Sequence, residues 1–292
     1  MKPDECPVCK SRSTFEWYAE DLDIKKLSFN YVFTPESRKT FRVVRCRSCT
    51  HVFCSPVPKN IYKNYEDVVD EEYLRHRITR ELTARAVLNV IKKYVPSGKL
   101  LDVGCATGDF LSQAKKLGYA AEGLELSRWS SEIAKKRGLK IYRETLQSLA
   151  HKYPEQFDII TLWGVIEHFE HPQQEMTYIN KLLKRGGIVA LWTGDVDSIV
   201  SELFGRRWWY WQGQHIQYFT RSSLDYLAKK SGFNTVAPKM YPFAANYEQL
   251  ENSLSRYAFQ KYILPFLKLA FKIKPVWYLY LPGEMFWIAR KT

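Results

Sequence analysis

From about residue 98 onward, short apolar blocks alternate with longer polar-apolar stretches, and glycines or acidic residues close the blocks. Leu100-Leu101-Asp102-Val103 predicts a buried strand, the run from Gly104 to Gly108 a tight turn, and the residues from Asp109 a helix. Ala120 to Leu126 reads as a second strand that ends on an acidic residue, Glu125. Phe157 to Trp163 reads as a buried strand running into a polar, aromatic loop that contains Glu167 and His168. Leu182 and Leu183 predict a helix ending at the pair Gly186-Gly187, with a strand from Ile188 to Trp192. Strand and helix alternating in this order predict a doubly wound α/β domain.

The turn from Gly104 to Gly108 sets the first chemistry. Glycines let backbone approach a ligand closely, and the opening helix points unpaired N–H groups at it. The spacing is G-x-x-x-G rather than the G-x-G-x-x-G of dinucleotide enzymes, so the turn alone is weak evidence. Glu125 lies about 20 residues beyond Gly104, where a carboxylate at a strand tip accepts hydrogen bonds from ribose hydroxyls. Glu125 could also be a surface carboxylate before a helix capped by Ser127, and Asp102 could simply order the turn.

LDVGCATG (101–108), GLELS (123–127), FDIITLWGVIEHFEHP (157–172) and LLKRGGIVAL (182–191) together resemble the class I S-adenosylmethionine-dependent methyltransferases. The resemblance covers residues 98–292. It implies a Rossmann-like seven-stranded sheet whose last strand, GEMFWIARK (283–291), is antiparallel, and it sets aside a dehydrogenase. It further implies S-adenosylmethionine as cofactor, with Asp102, Gly104, Cys105, Ala106 and Gly108 around the methionyl part and Glu125 and Leu126 at the ribose. Thr145 and Leu146 then flank the adenine, and Trp163 lies near the sulfonium. Ala106 stands where the family often has a third glycine, which narrows the pocket.

A second signal lies at the amino terminus. Cys6-Pro7-Val8-Cys9 and Cys46-Arg47-Ser48-Cys49 are two C-x-x-C pairs separated by 36 residues, resembling a zinc ribbon. Two such turns close the four-thiolate shell of a structural zinc ion at Cys6, Cys9, Cys46 and Cys49, with His51 and Cys54 as alternates and Cys105 excluded. Reduced cysteines are the competing reading. Four protein ligands leave no open position, so this zinc holds a small domain and does not activate water. The ribbon suits bacterial enzymes that modify sugars and secondary metabolites, and also some ribosomal-RNA methyltransferases. The expected organisation is a zinc-ribbon-like domain over 1–58, a helical linker over 59–97 and the methyltransferase domain over 98–292, with a substrate-side insertion at about 196–281.

With 292 residues, 46% of them hydrophobic, the chain can bury two units. The start MKPDECPVCK carries no apolar signal region, and six cysteines, four in metal-type pairs, suit the cytoplasm. The net charge of +13 favours an anionic partner: an anionic or lipid-linked small molecule, or RNA as the alternative. Residues 257–281 interleave lysines with aromatic and apolar residues; they are too interrupted to span a bilayer and read as a helix over the pocket, a dimer contact or a peripheral membrane contact.

Methyl transfer calls for an aligned acceptor, exclusion of water and often a base. His215 is the first candidate base, His168 the second, with Glu167 beside it. Trp208, Trp209, Trp211 and Tyr218 are expected to form a substrate-binding lid. No catalytic metal is expected, because Gly164 stands where related quinone O-methyltransferases carry a further Glu. The expected substrate is a sugar, polyketide-like or isoprenoid/quinone-like metabolite; a catalytically silent zinc-bound scaffold is the reading from a different class.

Overall fold

A computed structural model describes residues 4–22, 39–58, 61–255, 257–280 and 282–292. Three short strands open the chain: β1 (Thr14–Tyr18), β2 (Val43–Cys46) and β3 (Val52–Cys54). Three helices follow, α1 (Ile61–Glu66), α2 (Glu71–Arg75) and α3 (Arg77–Ile91). Then strands and helices alternate: β4 (Lys99–Val103), α4 (Asp109–Lys116), β5 (Ala120–Leu124), α5 (Arg128–Lys136), β6 (Lys140–Tyr142), α6 (Leu146–Lys152), β7 (Phe157–Trp163), α7 (Pro172–Leu182) and β8 (Leu183–Gly194). The last third holds α8 (Ile199–Phe204), β9 (Gln217–Tyr218), α9 (Arg221–Lys230), β10 (Phe233–Lys239), β11 (Pro242–Ala245), α10 (Tyr247–Leu254), α11 (Gln260–Ile273), β12 (Trp277–Tyr280) and β13 (Glu284–Lys291).

The main sheet has seven strands in the order β10-β13-β8-β7-β4-β5-β6. β4 pairs in parallel with both β5 and β7, so the chain order reverses beside β4, and β13 enters antiparallel between β8 and β10. Leu100, Leu101, Ile159, Ile160, Leu162 and Leu191 are fully buried, as expected where helices cover both faces of a parallel sheet. This is the methyltransferase sheet anticipated from the sequence, with its last strand antiparallel. Ligands of open α/β sheets lie beyond the carboxyl ends of the strands at such a reversal.

One boundary differs from expectation. The helix before β8 ends at Leu182, not at the glycine pair, and Leu183 is already extended. Both glycines sit inside β8: Gly186 holds a left-handed φ of 75°, and a Cβ on Gly187 would lie 2.9 Å from the Lys184 oxygen and 3.0 Å from the Asp158 oxygen.

The amino-terminal strands join a sheet of order β1-β2-β3-β9, so the fourth strand comes from the far side of the chain. Val52 pairs with Tyr218 and Phe53 with Gln217. The His51 and Gln217 side chains meet at 2.8 Å, the Thr50 and Thr220 hydroxyls at 2.7 Å, and Arg45 pairs with Asp197 at 2.8 Å. Cys6, Val44, Phe53 and Phe219 belong to the same buried cluster as Leu101 and Leu162 of the main sheet. The cysteine-bearing strands are thus packed onto the loop before α9. Among the described residues no helix is long and apolar enough to cross a membrane.

Candidate active site

The glycine turn leaves β4 at the sheet reversal. Gly104 (φ 68°) and Gly108 (φ 79°) hold left-handed backbone, and Gly104 is exposed at the turn's mouth. Ala106 also sits at φ 45°, a conformation that costs a side-chain-bearing residue about 1 kcal/mol, which accounts for a glycine being the easier residue there. Its N–H donates to Glu125 Oε2 at 2.8 Å, and Ser127 N–H donates to Oε1 at 2.8 Å. Glu125 is therefore buried, ordering the turn and the start of α5, and is no surface carboxylate. Ser127 caps α5 by accepting from Ser130 N–H, as expected.

Asp102 does not order the turn: its Oδ1 accepts from the Thr161 hydroxyl at 2.7 Å. Burial pushes the Asp102 carboxyl up to about 8, the Thr161 bond opposes this, and the charge of Glu125 adds to it. Tyr73, on α2, lies close enough for Asp109, Glu125 and Asp102 to raise its hydroxyl further, on top of burial. Arg80 stacks over the Tyr73 ring at 3.6 Å and donates from Nε to Asp109 at 2.8 Å. The Trp163 ring packs against Phe110 at 5.0 Å and Phe286 at 5.8 Å, and its buried indole N–H has no hydrogen-bond partner among the described residues. An open glycine turn and two buried carboxylates fit S-adenosylmethionine, whose ribose hydroxyls and ammonium supply donors and positive charge, and its own carboxylate and ring nitrogens supply acceptors for a donor such as the Trp163 indole N–H.

The remaining cofactor candidates divide. Cys105 is buried, and desolvation raises its thiol further from ionisation. Thr145 caps α6 by accepting from Ser148 N–H, and Leu146 is buried in the main core.

Glu167, His168 and His215 come together, with one candidate ligand atom of each within 4.8 Å of the others. Nδ1 of His215 lies 2.9 Å from the Tyr210 carbonyl and Nδ1 of His168 lies 2.8 Å from the Gln214 carbonyl. The Tyr210 carbonyl requires the proton on Nδ1 of His215, leaving its Nε2 as a lone pair, whereas the His168 ring is held by the carbonyls of both Gln214 and Gly164. Burial holds both rings neutral: His168 is pushed down to about 4, and His215 falls well below the usual histidine range, with His168 adding to it. Burial also pushes Glu167 up to about 7, opposed by the Tyr210 hydroxyl at 2.6 Å and the Thr193 hydroxyl at 3.3 Å.

Glu284, which sequence reasoning passed over, is a further buried carboxylate of this region. It accepts from the indoles of Trp192 at 2.9 Å and Trp209 at 3.0 Å, and burial pushes it up to about 7. The available signal was a glutamate directly before the apolar run Met285 to Ala289. Tyr73, Arg80, Tyr210 and Tyr241 were also missed. Tyr241 stacks on Trp192 at 5.1 Å and lies 6.1 Å from Trp163, linking the turn to this wall.

The expected lid is corrected in part. Trp208, Trp211 and Tyr218 are buried with Val43, Val52 and Cys54, filling the seam between the amino-terminal strands and the loop. Of the four, Trp209 is half-buried and reaches Glu284. Trp211 packs on Tyr218 at 4.3 Å and Tyr18 at 5.3 Å, because the short β9 needs a large apolar cover.

Cys6, Cys9, Cys46 and Cys49 converge, with Cys6 and Cys49 sulfurs 3.6 Å apart and Cys9 and Cys46 sulfurs 3.5 Å apart. Four sulfurs about 2.3 Å from a tetrahedral zinc ion would stand about 3.8 Å apart, so the cluster fits that ion. His51 and Cys54 are engaged elsewhere, with Gln217 and the His215 carbonyl.

The chain belongs to the methyltransferase-domain family, whose model matches residues 71–237. An uncharacterized protein of Methanocaldococcus jannaschii is 29% identical over 141 residues, covering 48% of this chain and 66% of that protein. The ubiquinone biosynthesis O-methyltransferase of Klebsiella pneumoniae is 31% identical over 97 residues, covering 31% of this chain and 40% of the relative. The chain thus spans between two fifths and two thirds of these relatives' lengths. A solved S-adenosylmethionine-dependent methyltransferase from Archaeoglobus fulgidus shares the fold with a TM-score of 0.54 at 17% identity, covering 76% of this chain and all of that one.

Proposed function

We propose that the protein transfers a methyl group from S-adenosylmethionine to a small-molecule acceptor of the sugar, polyketide-like or quinone-like kind. The observation that carries this reading is the aromatic wall of Trp163, Trp192, Trp209 and Tyr241 running from the glycine turn toward the buried group Glu167, His168 and His215. The ubiquinone O-methyltransferase relatives agree with an acceptor that stacks on aromatic rings. When bound, the cofactor supplies a methyl group on a positive sulfonium, displaced in line by the acceptor.

Asp102, Gly104, Glu125 and the Trp163 indole would hold the cofactor. His215 Nε2 would accept the acceptor's proton, and the nearby Glu167 carboxylate would stabilise the imidazolium that forms. Zinc at the four cysteines would be structural. Its strands pin the loop that carries His215, since Cys54 donates to the His215 carbonyl at 3.6 Å.

The test incubates the purified protein and methyl-labelled S-adenosylmethionine with host extract and partitions the label. Label in small-molecule or lipid fractions, falling about 10²-fold or more for His215→Gln, supports the reading. Label in RNA, or none in any fraction, overturns it.

A further inference from the structure

Helix α11 carries two apolar stripes, and the protein uses one. Leu264, Leu267 and Phe271 turn inward, where Phe271 packs on Tyr247 at 6.2 Å and Trp277 at 6.4 Å. Tyr262 (67% exposed), Phe266 (76%), Leu269 (62%) and Ile273 (83%) recur at steps of four, three and four residues and form a second stripe facing solvent. A lone exposed Leu is ordinary, but a continuous helical stripe of this size marks an interaction surface.

Charge and aromatic placement identify the partner. At roughly 100° per residue, Lys261, Lys268 and Lys272 fall in one row along a single flank of the outward stripe. No Asp or Glu occurs between Glu251 and Glu284, so the lysines' field is not cancelled along the chain. The two-stranded β11–β12 sheet adjoining the helix exposes Trp277, Tyr278 and Tyr280, and Lys274 lies 5.1 Å from the Trp277 ring. At the other end, Tyr257 packs on Phe204 of α8 at 4.9 Å, and α8 exposes Ile199 and Leu203.

We propose that α11 and the β11–β12 sheet dock on an anionic lipid bilayer, with the outward stripe entering the headgroup boundary and the lysine row lying on the phosphates. Aromatic rings that are apolar on one side and polar on the other belong at that boundary, and lysine stems bury their methylenes while the ammonium stays wet. A symmetric dimer through the same face would bring lysine rows of like charge together. RNA would leave the aliphatic stripe without a partner. The walls of the candidate active site connect to this face, since Tyr241 directly precedes β11 and Phe204 also packs on Trp209 at 6.4 Å. The docking does not depend on the proposed reaction, and its test measures no methyl transfer.

The experiment floats the full-length protein with phosphatidylcholine vesicles and with vesicles containing about 30% phosphatidylglycerol, at low and high salt. The expected result is flotation with the anionic vesicles only, lost at high salt. Each lysine exchanged to glutamine, as in K261Q, K268Q and K272Q, is expected to lower partition about fivefold. F266S with L269S is expected to abolish partition while leaving the melting temperature unchanged, because both side chains face solvent. Equal flotation with both vesicles, flotation with neither, or a lipid-free dimer that these variants convert to monomer in sedimentation velocity would overturn the proposal.

Discussion

Several residues of the candidate site adopt states that cost the fold something, and these make sharp tests. Ala106 holds a left-handed φ of 45° and is fixed there by the Glu125 carboxylate. Ala106→Gly is therefore expected to raise unfolding free energy by no more than about 0.6 kcal/mol, the relief of about 1 kcal/mol of backbone strain less the added freedom of the unfolded chain; denaturant melts measure it. Glu284 keeps its proton up to about pH 7 in the folded chain, above the ordinary carboxylate value of 4.5. The folded state then binds that proton more tightly than the unfolded state, so its stabilising share is full below pH 4.5 and is lost as pH rises through about 7. His168, pushed down to about 4, acts in the other direction: its share is present above 6.5 and lost as pH falls through about 4. Glu284→Gln should flatten the decline in stability between about pH 5 and 8 by on the order of 1–3 kcal/mol. A slope equal to that of the unaltered protein would show Glu284 already ionised when folded.

Among the elements, legibility followed locality. The glycine turn, the strand ending before Glu125, the Ser127 cap and the last strand could all be read, because each is set by residues within a few positions of one another. β9 could not be read. Two residues, Gln217 and Tyr218, have no periodicity, and they become a strand only because β3, more than 160 positions earlier, offers an open edge. The same long-range pairing turned Trp208, Trp211 and Tyr218 from an expected lid into packing. Gln217 is the hinge of this seam: its amide donates to the Phe169 carbonyl at 2.9 Å and its oxygen meets His51 at 2.8 Å. Gln217→Ala leaves both partners buried without a bond and is expected to cost about 2–3 kcal/mol by denaturant melts.

At the scale of the molecule, the amino-terminal cysteines and the catalytic candidates are one mechanical unit, because β3 is hydrogen-bonded to the strand that follows His215. Treatment with a strong chelator is expected to remove one equivalent of zinc and to open both regions together, seen as faster hydrogen exchange at β9 as well as β2 and β3. Exchange confined to β2 and β3 would show the two regions uncoupled. The central claim is that the turn closed by Glu125 holds S-adenosylmethionine, and calorimetric titration of that cofactor into the full-length protein and into Glu125→Ala, each first shown folded by its melt, tests it most directly. The account predicts one site per chain, weakened by about 1–3 kcal/mol in the variant through lost charge-assisted hydrogen bonds. Absence of binding, or equal affinity in the two proteins, would contradict it.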